Sequence, residues 1–366
     1  LDLIDFQTYD RPYIAYWLNQ GNLTCPRSKE VLSYSTLTPN CLVRELISRW
    51  CGVRGIAVPE SRQNISGKTI DEDINYLNSL LRKMSSPLSD RKEAAKELMR
   101  LTKASPSNRT AFGQIPNAFS RLLRPLSESK IELHPDLQED LIRTVLNLST
   151  DDSNKAEMGE NPVVIPLLIE SVKCGTIETI INATAALYTL TQLDSNKLII
   201  GKSRAHVTLL ELLRSGHPLA MREAALTISN LCTVHENKIR FIEIGALPVI
   251  LQMINDSMLV DELLGIFAQL SAYSNAIEQF REIYMVPCLF RIMRYSYSGS
   301  TKENCVVILF IVCSKNEAFL RELCIEETNN RTLAELEDTG IERAKRKAFD
   351  LILAMRRALP SLRITT

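Results

Sequence analysis

The residues able to do chemistry are few and scattered. Nine cysteines stand at positions 25, 41, 51, 174, 232, 288, 305, 313 and 324, no two closer than eight residues, and there are four histidines. A structural zinc site or redox pair needs ligands at spacings such as Cys-x-x-Cys, and none occurs, so reduced, buried thiols are expected, with no metal and no cofactor. His235-Glu236 opens like a metalloprotease helix, but Ile239 stands where the second imidazole is required. No Gly-x-Ser-x-Gly frames a nucleophile, and the closest glycines, Gly52 and Gly55, form no phosphate loop.

Repetition is the stronger signal. Short apolar segments recur with anchors at Leu101, Leu148, Leu190, Leu231, Leu270, Val312 and Leu353, a mean period of 42 residues. A second marker runs in phase: Ser153-Asn154-Lys155, Ser195-Asn196-Lys197 and Glu236-Asn237-Lys238. A third is Gly159, Gly201 and Gly245. Within a period the apolar spacing is helical, as in Leu226, Ile228 and Leu231 with Ala224-Ala225. Asn154, Asn196 and Asn237 follow one helix and are expected to accept amide hydrogens at the start of the next. Pro162, Pro166, Pro248 and Pro287 fall near helix starts, where a missing N–H does little harm. The pattern predicts helical units that stack, because none can bury its apolar face alone.

Composition fits that picture. Lys plus Arg and Asp plus Glu both number 43, so the net charge is zero and no electropositive surface for nucleic acid is expected. Apolar residues at 45% exclude wholesale disorder. The longest wholly apolar run, Cys305–Cys313, is too short to span a bilayer, so no integral membrane segment is expected.

Met221–Leu251 carries Arg-Glu-Ala-Ala-Leu, Ser-Asn-Leu-Cys, Glu-Asn-Lys and Ile-Gly-Ala-Leu-Pro-Val-Ile-Leu in order. It resembles an armadillo repeat, and the resemblance extends over about 90–357, with the Gly-Ala-x-Pro turn lost at 284–288 and around 325–335. It implies a right-handed solenoid whose groove is lined by the residue before each anchor: Arg100, Asn147, Thr189, Asn230, Gln269 and Ile311. Such a row can bind an extended peptide through asparagines. With only two asparagines among six, it is equally a repeat signature without a ligand.

The first sixty residues differ in texture. Asp10 is placed to cap a helix through Leu18, Gly21 to end it, and Pro39-Asn40 to start a second helix ending before Gly52. The string Thr8-Tyr9-Asp10-Arg11, Ile14, Trp17-Leu18, Gly21, Thr24-Cys25-Pro26, Leu37-Thr38-Pro39-Asn40, Leu46-Ile47, Trp50-Cys51 resembles a U-box, a RING-like module without metal. Three cysteines and no histidine in residues 1–60 cannot supply the eight ligands of a RING. Followed by armadillo repeats, the string is similar to the plant U-box/armadillo ubiquitin ligases. The family module begins about twenty residues earlier, and Phe6 stands where the family has Gly, so a U-box lacking its first strand and loop is expected, in a chain without an initiating Met.

The resemblance implies a mainly α fold: an incomplete α+β U-box at 1–59, a linker and capping helix at 60–87, about six armadillo repeats at 88–357 and a tail at 358–366. Asp71–Met84 supplies the cap, with Ile74, Leu77, Leu81 and Met84 on one face. It implies a ubiquitin ligase in which Trp17, Pro26 and Lys29 hold a ubiquitin-conjugating enzyme and no residue is itself catalytic. Tyr9, Asp10 and Asn40 are the hydrogen-bonded substitutes for zinc, while Arg100, Asn147, Asn230 and Gln269 face a protein substrate or receptor-type partner. Each has a plainer reading. Trp17 can be a core aromatic beside Trp50, Pro26 a turn former and Lys29 a solvated surface lysine. The alternative for the whole chain is a non-catalytic armadillo scaffold with a defective U-box. A cytoplasmic location is expected; Arg343-Ala-Lys-Arg-Lys347 is either a nuclear signal or the polar face of the last helix.

Overall fold

The computed structural model describes residues 2–4, 7–27, 29, 38–39, 43, 47, 50–51, 70–128, 134–273, 276–313 and 316–358. The chain divides into two units, 1–67 and 68–366. Among the described residues no helix is long and apolar enough to cross a membrane.

In the first unit, β1 (Asp2–Ile4) pairs antiparallel with β2 (Gln7–Tyr9) and with β3 (Thr38–Pro39), in the order β2-β1-β3. Pro39 therefore closes a sheet edge, opposite Asp2, rather than opening a helix. Edge positions suit proline because it has no amide to give the ladder. The helix α1 (Arg11–Asn19) follows β2 directly, with Pro12 in its first turn. Asp10 occupies the cap position in an extended conformation, but its exposed side chain makes no cap bond; only its carbonyl serves, accepting from the Ile14 amide at 3.1 Å. Gly21, at φ +79°, turns the chain out of the helix. Ile14 and Cys25 are fully buried beneath α1 and the loop after it. Val43, Ile47, Trp50 and Cys51 are helical; Cys51 is buried and Trp50 more than half exposed.

The second unit is a stack of three-helix repeats. It opens with α2 (Ile70–Lys83), whose Leu77 and Leu81, followed by Met84, are buried against α3 (Leu88–Ala104), α4 (Pro106–Gly113) and α5 (Ala118–Glu128). A solenoid end needs such a cover because its stacking face is otherwise exposed. α3 is a third helix without its own first two. After α4 and α5, α6 (Pro135–Ser149) completes the first full triplet. The next is α7 (Asp152–Glu160), α8 (Val164–Cys174) and α9 (Ile177–Leu190), then α10 (Asp194–Lys202), α11 (Ala205–Ser215) and α12 (Pro218–Leu231). They are followed by α13 (His235–Glu243), α14 (Ala246–Asn255) and α15 (Val260–Ser271), and by α16 (Ala276–Glu282), α17 (Met285–Tyr295) and α18 (Gly299–Cys313). The last is α19 (Glu317–Asn330), α20 (Thr332–Thr339) and α21 (Glu342–Ala358). Third helices pack on third helices along the whole stack, from α3 on α6 to α18 on α21, and second helices on second helices.

The anchors fall where the period predicts. Leu148, Leu190, Leu231 and Leu270 are completely buried, whereas Leu101 and Leu353, on the end helices, are half-buried because each lacks a third helix on one side.

Two markers do a different job from the one expected. Asn154, Asn196 and Asn237 do not accept helix-start amides; they are buried and donate. Each Nδ2 bonds one carbonyl of the preceding repeat, Arg109, Lys155 or Lys197, at 2.8–3.0 Å. Each also bonds the last turn of the preceding third helix, at Leu148, Leu190 or Leu231, at 3.2 Å. Asn108 continues the row, bonding the Leu101 carbonyl at 3.2 Å. The carbonyls that close a helix have no partner of their own, and a carboxamide inserted between repeats satisfies them.

The glycine marker divides in two. Gly159 and Gly201, joined by Gly113, give way to these asparagines. Gly245 instead takes φ +77° at the turn between first and second helices. That left-handed turn survives where the glycine motif is lost: Arg204 (φ 66°), Tyr284 (φ 51°) and Arg331 (φ 52°) adopt it without glycine.

Candidate functional site

In the first unit the site is built around Trp17. Its indole N–H donates to the Thr24 carbonyl at 2.8 Å, and Asn22 Nδ2 returns a bond to the Trp17 carbonyl at 3.0 Å. The half-buried indole thus ties the loop carrying Pro26 to α1. Lys29, in a left-handed conformation at φ 64°, places its Nζ 5.5 Å from the centre of the Trp17 ring. That is a cation–π contact worth about 0.5–1 kcal/mol at an exposed site. Trp17, Pro26 and Lys29 are therefore brought together on one small surface. Around it Tyr13, Tyr16 and Leu23 are 53%, 66% and 66% exposed, an apolar collar that nothing inside the unit requires.

Tyr9 lies beneath this surface. Its hydroxyl meets the buried Cys25 thiol at 2.8 Å, and its ring lies 6.5 Å from that of Tyr13. Burial, then the Cys25 thiol beside it, hold the Tyr9 hydroxyl above its ordinary value. The bond joins β2 to the loop after α1, a link that a metal makes in zinc-bound modules. Asp10 makes no corresponding cap bond, and Asn40 lies outside the described residues.

In the second unit the row before the anchors lines the exposed face of the third helices. Arg100 is exposed and paired with Glu97 at 2.7 Å. Asn147 is half-buried and donates to the Met99 carbonyl at 3.3 Å and to Thr102 Oγ1 at 3.2 Å. Asn230 donates to Thr191 Oγ1 at 3.1 Å, and the Gln269 carboxamide reaches Ser229 Oγ at 3.1 Å. Their amide donors thus bond the neighbouring third helix. Three residues farther from sequence inspection share this face: Asn182, Glu223 and Gly265. Asn182 and Glu223 stand seven residues before Thr189 and Asn230, two helical turns along the same stripe, which is the signal that could have found them.

The remaining chemistry-bearing groups are structural. Burial pushes the Cys232 thiol up to about 12, and Cys305 and Cys313 higher still, so they are inert as nucleophiles. In the basic cluster Arg343 pairs with Glu303 at 3.0 Å, Lys345 bonds the Asp338 carbonyl, and Lys347 pairs with Asp350 at 3.3 Å and lies over the Phe310 ring. Three of its four cations are engaged in holding α21.

Residues 5–55 match the family described as U-box domain, and residues 76–362 match that described as Plant U-box protein ARM repeat region. The chain belongs to the plant U-box armadillo-repeat family. Among its relatives in Arabidopsis thaliana, U-box domain-containing protein 9 is 42% identical over 96% of this chain and 78% of that protein. Putative U-box domain-containing protein 46 is 38% identical over 96% and 77%. Of solved structures, a designed armadillo repeat protein in complex with the peptide (KR)4 aligns with a TM-score of 0.54 and 16% identity, over 64% of this chain and 99% of that one. A structure concerned with a phosphorylation switch in the interaction between cadherin and β-catenin aligns at 0.59 and 15%, over 78% and 58%. These likenesses show the armadillo fold. U-box proteins of this family are in general ubiquitin ligases, and the repeats make the second unit a protein-binding one.

Proposed function

We propose that this chain is a ubiquitin ligase that holds a charged ubiquitin-conjugating enzyme on the Trp17–Pro26–Lys29 surface and a protein substrate along the third-helix groove. No side chain is asked to form a bond. The substrate lysine attacks the thioester carbonyl, the conjugating enzyme's cysteine leaves as a thiol, and an isopeptide bond forms. The ligase contributes proximity and orientation, which can be worth about 7–11 kcal/mol in well-aligned systems. The observation carrying the reading is the clamp of Trp17 on the Thr24 carbonyl. It holds the loop bearing Pro26 against a helix whose exposed side is aromatic, in a family of ubiquitin ligases. Reduced, buried thiols suit the cytoplasm or nucleus.

The test is direct binding. A panel of ubiquitin-conjugating enzymes is titrated against the full chain and against Trp17→Ala, with circular dichroism checking the fold. Binding that Trp17→Ala weakens at least about tenfold supports the reading. A fully folded chain that binds none of the panel leaves the non-catalytic scaffold.

A further inference from the structure

Successive third helices are joined by polar rungs, and one rung is missing. Lys92 on α3 pairs with Asp136 on α6 at 3.1 Å, and Arg143 on α6 with Glu178 on α9 at 3.7 Å. Arg222 on α12 pairs with Glu262 on α15 at 3.5 Å, Thr301 on α18 bonds Asp261 on α15, and Arg343 on α21 pairs with Glu303 on α18 at 3.0 Å. Between α9 and α12 the described residues contain no such pair; only Asn230 and Thr191 meet, at the carboxyl-terminal end.

The unjoined step leaves two polar groups without partners. Asn182 on α9 is 9% exposed, and its Nδ2 has no hydrogen-bond partner among the described residues. Glu223, at the equivalent position of α12, is half-buried, with no ion pair or side-chain hydrogen bond among them. Burial holds its carboxyl above the ordinary value, because desolvation is offset only in part by Arg222. A half-buried carboxylate and an amide donor left open are costly unless something completes them.

The floor beside them is bare. Ala185 and Leu226 stand four residues before Thr189 and Asn230, and Gly265 four before Gln269. A Cβ built on Gly265 would meet nothing within 4 Å, so no packing inside the fold explains a mid-helix glycine that costs about 1 kcal/mol of helix stability.

We infer that the step between α9 and α12 is the selective pocket for a lysine or arginine side chain of an extended peptide segment. The incoming cation pairs with Glu223, the Asn182 amide is free for a peptide carbonyl, and the backbone runs over Ala185, Leu226 and Gly265. At the charged rungs of the stack the fold supplies the cation itself, from Lys92, Arg143, Arg222 or Arg343; here it supplies an acceptor and a donor and omits the cation. This deepens the proposed function, since it names the chemistry by which the groove would choose a substrate.

The experiment uses the full chain and an array of octapeptide pools, each with one fixed central residue and degenerate flanks. Lysine- or arginine-fixed pools should be retained at least about fivefold above the mean, and higher salt should reduce that excess. Glu223→Gln should bring those pools down to the mean, a loss of about tenfold in affinity for the best single peptide, while Glu160→Gln, the same charge change on α7, leaves them unchanged. Gly265→Leu should remove retention altogether. A wild-type chain with no preference for cationic pools overturns the inference, as does a preference that survives in a folded Glu223→Gln. Ubiquitin transfer with a conjugating enzyme is measured in parallel. Transfer without cationic preference sinks only this inference; cationic preference without transfer sinks only the ligase reading.

Discussion

Asn237 occupies the space that any side chain at Gly201 would need: a Cβ placed there would stand 1.8 Å from Asn237 Oδ1. The same relation holds between Gly159 and Asn196 at 1.9 Å and between Gly113 and Asn154 at 2.0 Å. Gly201→Ala should therefore destabilise the chain by about 2–4 kcal/mol, from overpacking and from displacing a carboxamide that satisfies two carbonyls. Asn237→Ala should cost about 1–3 kcal/mol. In the double variant the clash is gone, so its cost should fall short of the sum by at least about 1 kcal/mol in urea unfolding. Strict additivity would mean that the two residues do not share the site.

The left-handed turns between first and second helices give a second test. Arg204 and Tyr284 hold φ of 66° and 51° on exposed surface, where a residue with a Cβ costs about 1–2 kcal/mol relative to glycine. Arg204→Gly and Tyr284→Gly should each stabilise by about 0.5–1 kcal/mol after the greater freedom of glycine in the unfolded chain is deducted. Gly245→Ala should destabilise by about 1 kcal/mol, through conformation alone, since its Cβ would meet nothing within 4 Å. Thermal melts read all three.

Trp17→Phe keeps an aromatic ring and deletes the N–H that reaches the Thr24 carbonyl. If this bond sets the position of Pro26, ubiquitin transfer should fall about threefold to tenfold while the melting temperature of the chain changes little. Lys29→Met, which removes the cation over the ring and keeps its stem, should lower it less. Wild-type transfer rates in Trp17→Phe would separate the loop clamp from function.

Much of this architecture was legible beforehand. The period of 42 residues, the anchors and the covering helix follow from apolar spacing, because a helix shows its buried stripe in sequence. The asparagines were visible, but their role was not, since whether a carboxamide accepts at its own helix start or donates across a repeat depends on a neighbour 41 or 42 residues away. Asn108 escaped because its repeat is longer, so a search at fixed spacing passes it. Tyr284 and Arg331 show why motif loss misleads: the stack imposes the turn, and a non-glycine residue bears the strain. At the site, the contact of Trp17 with Thr24 could not be read from residue types, and Glu223 gains meaning only when the ion pairs of the other steps are seen to skip it.

Glu327 supplies a pH test. Its buried carboxylate accepts the amides of Leu333 and Ala334, at 2.7 and 2.9 Å, at the start of α20. Burial raises its pKa above the ordinary 4.5 despite those bonds. The folded state therefore holds the proton more tightly than the unfolded one. The stability contributed by this group is full below pH 4.5 and is lost as pH rises through the higher folded value. Amide exchange in α19 and α20 should accelerate across that window beyond the intrinsic effect of pH, and Glu327→Gln should flatten the dependence. An unchanged slope in the variant would assign the effect to another group.

The central claim is that the first unit works by presenting a conjugating enzyme to a lysine, with the Trp17 surface as its seat. The direct measurement is ubiquitin transfer by the full chain in the presence of activating enzyme, conjugating enzyme, ubiquitin and ATP. The expected result is chain-dependent formation of ubiquitin conjugates that falls at least about tenfold in Trp17→Ala and in Pro26→Ala, with both variants folded. Transfer no greater than that of the conjugating enzyme alone, from a folded wild-type chain across a panel of conjugating enzymes, would contradict it.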